Sequence, residues 1–155
     1  MGKLIWHEYA RLVTIAASCY TLWAALWAFV YRKFFWDFVS GTLRNPGGLQ
    51  PANHDGFFTV LIVKAPIIPM LNFILAACII AFEYPVPWVK GKSIHRSFIV
   101  RVIALLAQAV MAIVWYQGTN GAIWSLAAAF CWGRAMMLGE VMKEAKDNKG
   151  RGGKA

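Results

Sequence analysis

Four stretches of this chain are almost unbroken runs of apolar residues, at about Leu12 to Val30, Phe57 to Phe82, Phe98 to Tyr116 and Gly121 to Leu138. Each is close to the ~20 residues that a helix needs to cross ~30 Å of hydrocarbon. No two-residue alternation supports a closed barrel, so helices are the expected form in lipid. The pattern predicts an all-α integral membrane protein, a four-helix transmembrane bundle. Residues 1–141 would form the four-span membrane domain and residues 142–155 a basic cytoplasmic tail.

The polar segments between the runs set the connections. Gln117-Gly118-Thr119-Asn120 is so short that the third and fourth spans must form an antiparallel hairpin. The first connection, Tyr31 to Gly56, starts as the aromatic and charged Tyr31-Arg32-Lys33-Phe34-Phe35-Trp36-Asp37-Phe38 and reaches a turn at Asn45-Pro46-Gly47-Gly48. It is expected in the membrane interface as a helix extension or an amphipathic piece. Trp6, Trp36, Trp88 and Trp115 fall near span ends, where an indole keeps its ring in the interface and its N–H hydrated. The first run is followed by Tyr31-Arg32-Lys33 and not by a small-residue cleavage site, so it is expected to be retained.

Composition agrees with this picture. The 155 residues are 59% hydrophobic and 15% charged, well below the quarter charged that is usual for soluble domains. The net charge is +9, but the bases flank the apolar runs, which points to anionic lipid headgroups and not to nucleic acid. Twelve bases (Lys3, Arg11, Lys90, Lys92, Arg96, Arg101, Arg134, Lys143, Lys146, Lys149, Arg151 and Lys154) fall on the side of the two termini, against three on the other (Arg32, Lys33 and Arg44). The positive-inside rule therefore places both termini in the cytoplasm. Cys19, Cys78 and Cys131 are odd in number, far apart and inside apolar runs, so they read as packing residues and not as a disulfide framework or zinc site.

A few polar residues lie within or beside the spans. Lys64, just before Pro66 and Pro69, reads as a snorkelling or ion-paired lysine, with a ligand site as the minority reading. The two prolines would kink the second span. Asn72 and Gln108 are each expected to hydrogen-bond across a helix interface. Glu83, Arg101, Arg134 and Glu140 all belong at the cytoplasmic level, either as one polar cluster or as separate headgroup contacts. Small residues at four-residue spacing (Ala24 with Ala28, Ala77 with Ala81, Ala129 with Gly133) weakly suggest close helix approach.

Catalytic motifs are missing from the sequence. His7, His54 and His95 all fall outside the expected spans, so axial ligands for a transmembrane haem are lacking and no cofactor is expected. No Ser/His/Asp grouping, zinc-protease motif or Gly-rich phosphate loop occurs. A non-catalytic role is favoured over an enzyme.

Several short segments resemble a known family. The opening Met1-Gly2-Lys3-Leu4-Ile5-Trp6, the segment Phe82-Glu83-Tyr84-Pro85, the segment Arg96-Ser97-Phe98-Ile99-Val100-Arg101 and the ending Leu138-Gly139-Glu140 stand in the same order in the cytochrome b light chain family. This is the small, non-haem subunit of the superoxide-generating NADPH oxidase, and the chain looks closest to a fungal counterpart. The resemblance implies a helper that packs against the haem-bearing catalytic subunit and stabilises its maturation and export; the partner would carry haem, flavin and the NADPH site. It also implies that Arg101 holds fold or interface, with Arg101→Gln lowering partner abundance more than the chain's own level. Three departures stand out: the first connection is longer and the second shorter, Leu105 replaces a family histidine, and the tail has no PxxP for docking an SH3-bearing organiser.

The expected place is the endoplasmic reticulum or another endomembrane, or the plasma membrane. Two other functions fit the residues alone. One is a tetraspan endoplasmic reticulum scaffold or chaperone with other clients. The other is a small four-helix transporter with Lys64 and Glu8 near its path.

Overall fold

In the computed structural model the described residues are 4–84 and 93–142. Pro85, Trp88, Lys90, Lys92 and the tail from residue 143 lie outside them. The chain is mainly helical. The four principal helices are α1 (Trp6–Val30), α3 (Ile67–Glu83), α5 (Phe98–Ala112) and α6 (Thr119–Met137). They form a ring in which α1 packs on α3 and α6, and α5 packs on α6 and, most loosely, on α3. Phe98 meets Trp132 and Gln108 meets Ser125, so α5 and α6 run antiparallel, as the short turn requires.

The helix boundaries follow local chemistry. α1 begins six residues earlier than hydropathy suggests, at Trp6. The second apolar run bends at its prolines as expected, but far enough to break the helix in two. It divides into α2 (Gly56–Thr59), which continues as a π turn over Val60–Lys64, and α3, bent 64° from it. Pro66 forces the residue before it out of the helical region, and Ala65 is extended at φ −127°, ψ 118°. Pro69 sits in the first turn of α3, where its missing N–H would have had no intrahelical partner. α5 stops at Ala112, short of Tyr116, because the chain there pairs with the first connection. Phe35 N–H donates to the Val114 carbonyl and Tyr116 N–H to the Lys33 carbonyl, both at 3.1 Å.

The first connection contains two short helical turns (Phe35–Phe38 and Asn53–Asp55) and a hairpin of two short strands, β1 (Thr42–Arg44) and β2 (Gly48–Gln50), paired antiparallel with Leu43 opposite Leu49. Neither strand was expected from the sequence. Gly47 at φ 133° and Gly48 at φ 72° make the turn in conformations that side chains disfavour. A short helix, α4 (Ser93–Arg96), precedes α5.

The interior is rich in small and polar residues packed around a few large ones, Trp115, Trp132, Ile62 and Leu105, and much of the outside is large and apolar. Ala10, Ala17, Ala25 and Ala128 are fully buried, and so are Thr14, Ser18, Thr21, Gln108 and Ser125. Val110 is 68% and Phe130 69% exposed. Of the proposed small-residue pairs, Ala24 and Ala28 are buried, whereas Ala77 and Ala81 face outward. Gly121 lies against Thr21 so closely that a Cβ would collide with its hydroxyl, which lets α6 approach α1. Gln108 ties three helices, donating to Ser125 Oγ at 2.8 Å and accepting from Ser18 Oγ at 3.4 Å.

By length and hydropathy α1 is a candidate membrane span, and α2 with α3 is a second if the bent pair counts as one. α5 is apolar but has only 15 residues.

Candidate functional site: the charged end of the bundle

The first turn of α1, the last turn of α3, the first turn of α5 and the end of α6 meet at one end of the ring. Arg101 is one turn into α5. Its Nε donates to Glu83 Oε1 at 2.6 Å, and its Nη1 donates to the carbonyls of His95 at 2.5 Å and Ser97 at 3.2 Å. The guanidinium carbon lies 4.8 Å from the ring centres of both Phe82 and Trp132, so the cation is held between two aromatic faces. Both charged side chains are about 1% exposed.

The pair is incompletely satisfied. Glu83 Oε2 and Arg101 Nη2 are buried without a hydrogen-bond partner among the described residues. An unmade bond at a buried charged group costs more than the ~1–3 kcal/mol of a neutral one. Beside them lies a cavity of about 140 Å³, walled by Leu75, Cys78, Ile79, Val100, Ala104 and Leu105 with Phe82, Thr14 and the ion pair itself.

A second polar contact lies at the same end, and it is separate. α1 has no capping side chain of its own, since Ile5 holds its N-cap position. Glu140, 134 residues away, does this work. Its Oε1 accepts from Trp6 N–H at 3.0 Å, and its Oε2 accepts from His7 N–H at 2.8 Å. His7 Nδ1 lies 2.7 Å from Oε2 and donates when it carries the proton. A carboxylate at a helix N-terminus also meets the positive end of the helix dipole. Burial pushes the Glu140 carboxyl up, but the His7 and Trp6 N–H groups and the His7 ring outweigh it and hold the carboxyl below its ordinary value.

Gly139 makes that reach possible. It adopts φ 64° after α6, with Gly139 N–H bonded to the Met136 carbonyl and Glu140 N–H to the Ala135 carbonyl. This is the Schellman ending that glycine favours, and it turns Glu140 back toward α1.

The expected four-residue cluster is therefore two clusters and one bystander. Glu83 pairs with Arg101 and Glu140 caps α1. Arg134 is exposed and belongs to neither. Tyr84 is 66% exposed beside the ion pair, and Pro85 lies outside the described residues. Lys64 is exposed at the opposite end, where its carbonyl accepts from Arg32 Nη1. Glu8 is at the start of α1 and Lys64 is beyond its C-terminus, about 35 Å away along a 25-residue helix, so the two stand at opposite ends of the bundle.

Two other expectations are corrected. Asn72 is fully buried, yet neither atom of its amide has a partner among the described residues. Trp115 is also fully buried and its indole N–H is unpaired among the described residues, whereas Trp36 donates to the Ile113 carbonyl at 3.1 Å. Of the three cysteines, Cys131 is buried and Cys19 and Cys78 are exposed.

The sequence alone did not single out His7, His95 or Trp132. His95 Nε2 lies 3.1 Å from the Phe82 carbonyl, and Trp132 Nε1 donates to Thr14 Oγ1 at 2.9 Å. His7 and Glu140 are too far apart in sequence for any spacing to link them, although an uncapped helix start at Trp6 was a usable signal.

No curated protein and no solved structure matches the chain. Over residues 1–140 it matches a family described as a domain of unknown function (DUF7727). A match of that length makes the chain a member of this family.

Proposed function

We propose that this chain is a four-span, non-catalytic membrane subunit that stabilises the maturation and assembly of a haem-bearing NADPH oxidase in the endomembrane system. The four-span part is supported by the distribution of side chains. Small and polar residues are concentrated in the centre, and large apolar ones cover much of the outside of all four principal helices. Such an inverted arrangement suits hydrocarbon better than water. α6 has a low mean hydropathy because its polar and small residues, Gly121 and Ser125 among them, turn inward, while Ile123, Leu126 and Phe130 face out.

One observation carries the subunit reading. The segments that resemble the oxidase light chain come from distant parts of the sequence and meet at the charged end. Trp6 receives its cap from Glu140, Gly139 aims that cap, and Phe82 and Glu83 enclose Arg101. The resemblance thus falls on residues with linked structural roles.

Burial makes Arg101 a residue of the fold and not a contact. Arg101→Gln should therefore lower the chain's own level at least as much as a partner's, unlike the expectation from resemblance. Tyr84 and Arg134, exposed at the same end, are the better contact candidates. The test is to purify the tagged chain in mild detergent and record the absorption spectrum with its co-purifying proteins. A haem Soret band with an oxidase-sized partner, reduced by Tyr84→Ala or Arg134→Ala at unchanged chain level, supports the reading. A colourless homodimer sinks it.

A further inference from the structure

The cavity beside the ion pair combines three features. Its walls are almost wholly apolar, contributed by Leu75, Ile79, Phe82, Val100 and Leu105. It lies along α3–α5, the loosest seam of the ring, and the exposed Cys78 and the small Ala104 are among its lining residues. Glu83 and Arg101 also line it, and each has one buried polar atom lacking a partner among the described residues.

We propose that this groove binds a single sterol, whose hydroxyl donates to Glu83 Oε2 and accepts from Arg101 Nη2. The chemistry selects the head. The carboxylate only accepts and the guanidinium only donates, so the complement is a group that does both through one atom. A hydroxyl does this without adding charge to a pair that is already neutral as a whole. A phosphate or ammonium head would add charge.

The walls select the body. A water could bridge the same two atoms, but it would leave the apolar walls without a partner. A flexible acyl alcohol would lose rotamer freedom on entering, whereas a rigid ring system loses little. Only part of a sterol fits within about 140 Å³, and the rest would lie along Cys78 and Ala104 toward the hydrocarbon. Glu83 ends α3, which puts the hydroxyl at the end of the apolar helices, the depth at which a sterol hydroxyl sits. The proposal rests on the membrane reading but not on the identity of any protein partner.

The test uses the full chain in lipid nanodiscs with a diazirine-bearing sterol that retains its hydroxyl. Adducts should concentrate in residues 75–83 and 100–105. Unlabelled sterol should compete about tenfold better than the same sterol oxidised to a ketone, which cannot donate to Glu83. Ala104→Phe, which fills the groove and leaves both members of the ion pair in the sequence, should remove the adducts. Adducts spread evenly over the outer faces of α1 and α6, or equal competition by the ketone in the wild-type chain, would overturn the sterol site. Alkaline carbonate extraction separates the two failures. A chain that stays in the membrane but shows no focused adducts loses only this proposal, while a chain that is released loses the membrane reading as well.

Discussion

At one end of the ring, Arg101, Glu83, Glu140 and His7 tie the helices through side-chain charges. At the other, the closing contacts run mainly through the backbone and aromatic rings. There, Phe34 pairs with Trp115, and Phe34 stacks on Phe58 with ring centres 5.5 Å apart. Gln117 Nε2 donates to the Tyr31 carbonyl at 2.6 Å, and Arg32 donates to the carbonyls of Phe29 and Lys64. The difference shows how each end resists change. A charge pair inside protein depends on both partners, so one substitution strands the other. A backbone bridge survives most side-chain changes and fails only where space or backbone geometry is violated.

The largest effect should come from splitting the buried pair. Arg101→Gln leaves Glu83 charged and enclosed, and should cost about 3–5 kcal/mol. Replacing both residues, Arg101→Met with Glu83→Leu, should recover most of that loss. Thermal unfolding in detergent, followed by the exposure of buried Cys131, measures both. If the double variant is as unstable as the single one, the end is not held by its charges.

At the backbone end the sensitive residue is Gly118. An added Cβ would strike the Ala112 carbonyl and the ring of Trp115 at 2.6 Å, and neither is the free end of a flexible side chain. Gly118→Ala should cost about 1–3 kcal/mol by overpacking. Unchanged unfolding would show that this end tolerates space violations too.

Glu140 tests the charged end more gently. Glu140→Gln should cost about 1 kcal/mol, since an amide oxygen still accepts but the charge at the helix start is gone. The folded carboxyl titrates below its ordinary value of 4.5. Its contribution is therefore complete above that value and is lost as pH falls through the lower folded value. The wild-type chain should lose its advantage over Glu140→Gln in that acidic window, as unfolding midpoints across pH will show. A constant difference would mean that the charge is irrelevant.

The smallest effect is expected for Trp36→Phe, which removes one exposed hydrogen bond and keeps the ring. A loss of about 1 kcal/mol or less should appear in the same unfolding measurement. A larger loss would mean that this end depends on side-chain bonds after all.

Much of the fold was legible in the sequence because apolar segregation is a local property. The runs around Leu12 to Val30 and Gly121 to Leu138 appear as α1 and α6 with modest shifts, and the short turn made the α5–α6 hairpin unavoidable. In the second run the prolines foretold the bend, but hydropathy is blind to backbone geometry and gave no sign that Pro66 would divide the helix between Ile62 and Ile68. The candidate site was half legible. Residue type marked Glu83, Arg101 and Glu140 as costly to bury, and the order of the apolar runs put them at one end of the helices.

Sequence by itself determined the helical class, the polar residues that needed partners and the end of the bundle where they gather. Only the tertiary structure decided who partners whom. Glu140 could have met Arg101 or Arg134, but the left-handed Gly139 turns it to the open N–H groups of α1. Arg101 could have reached headgroups, but Phe82 and Trp132 close around it and leave Glu83 as its counter-charge. The physical reason is that a hydrogen bond depends on direction over about 3 Å, and such directions exist only once distant segments have packed.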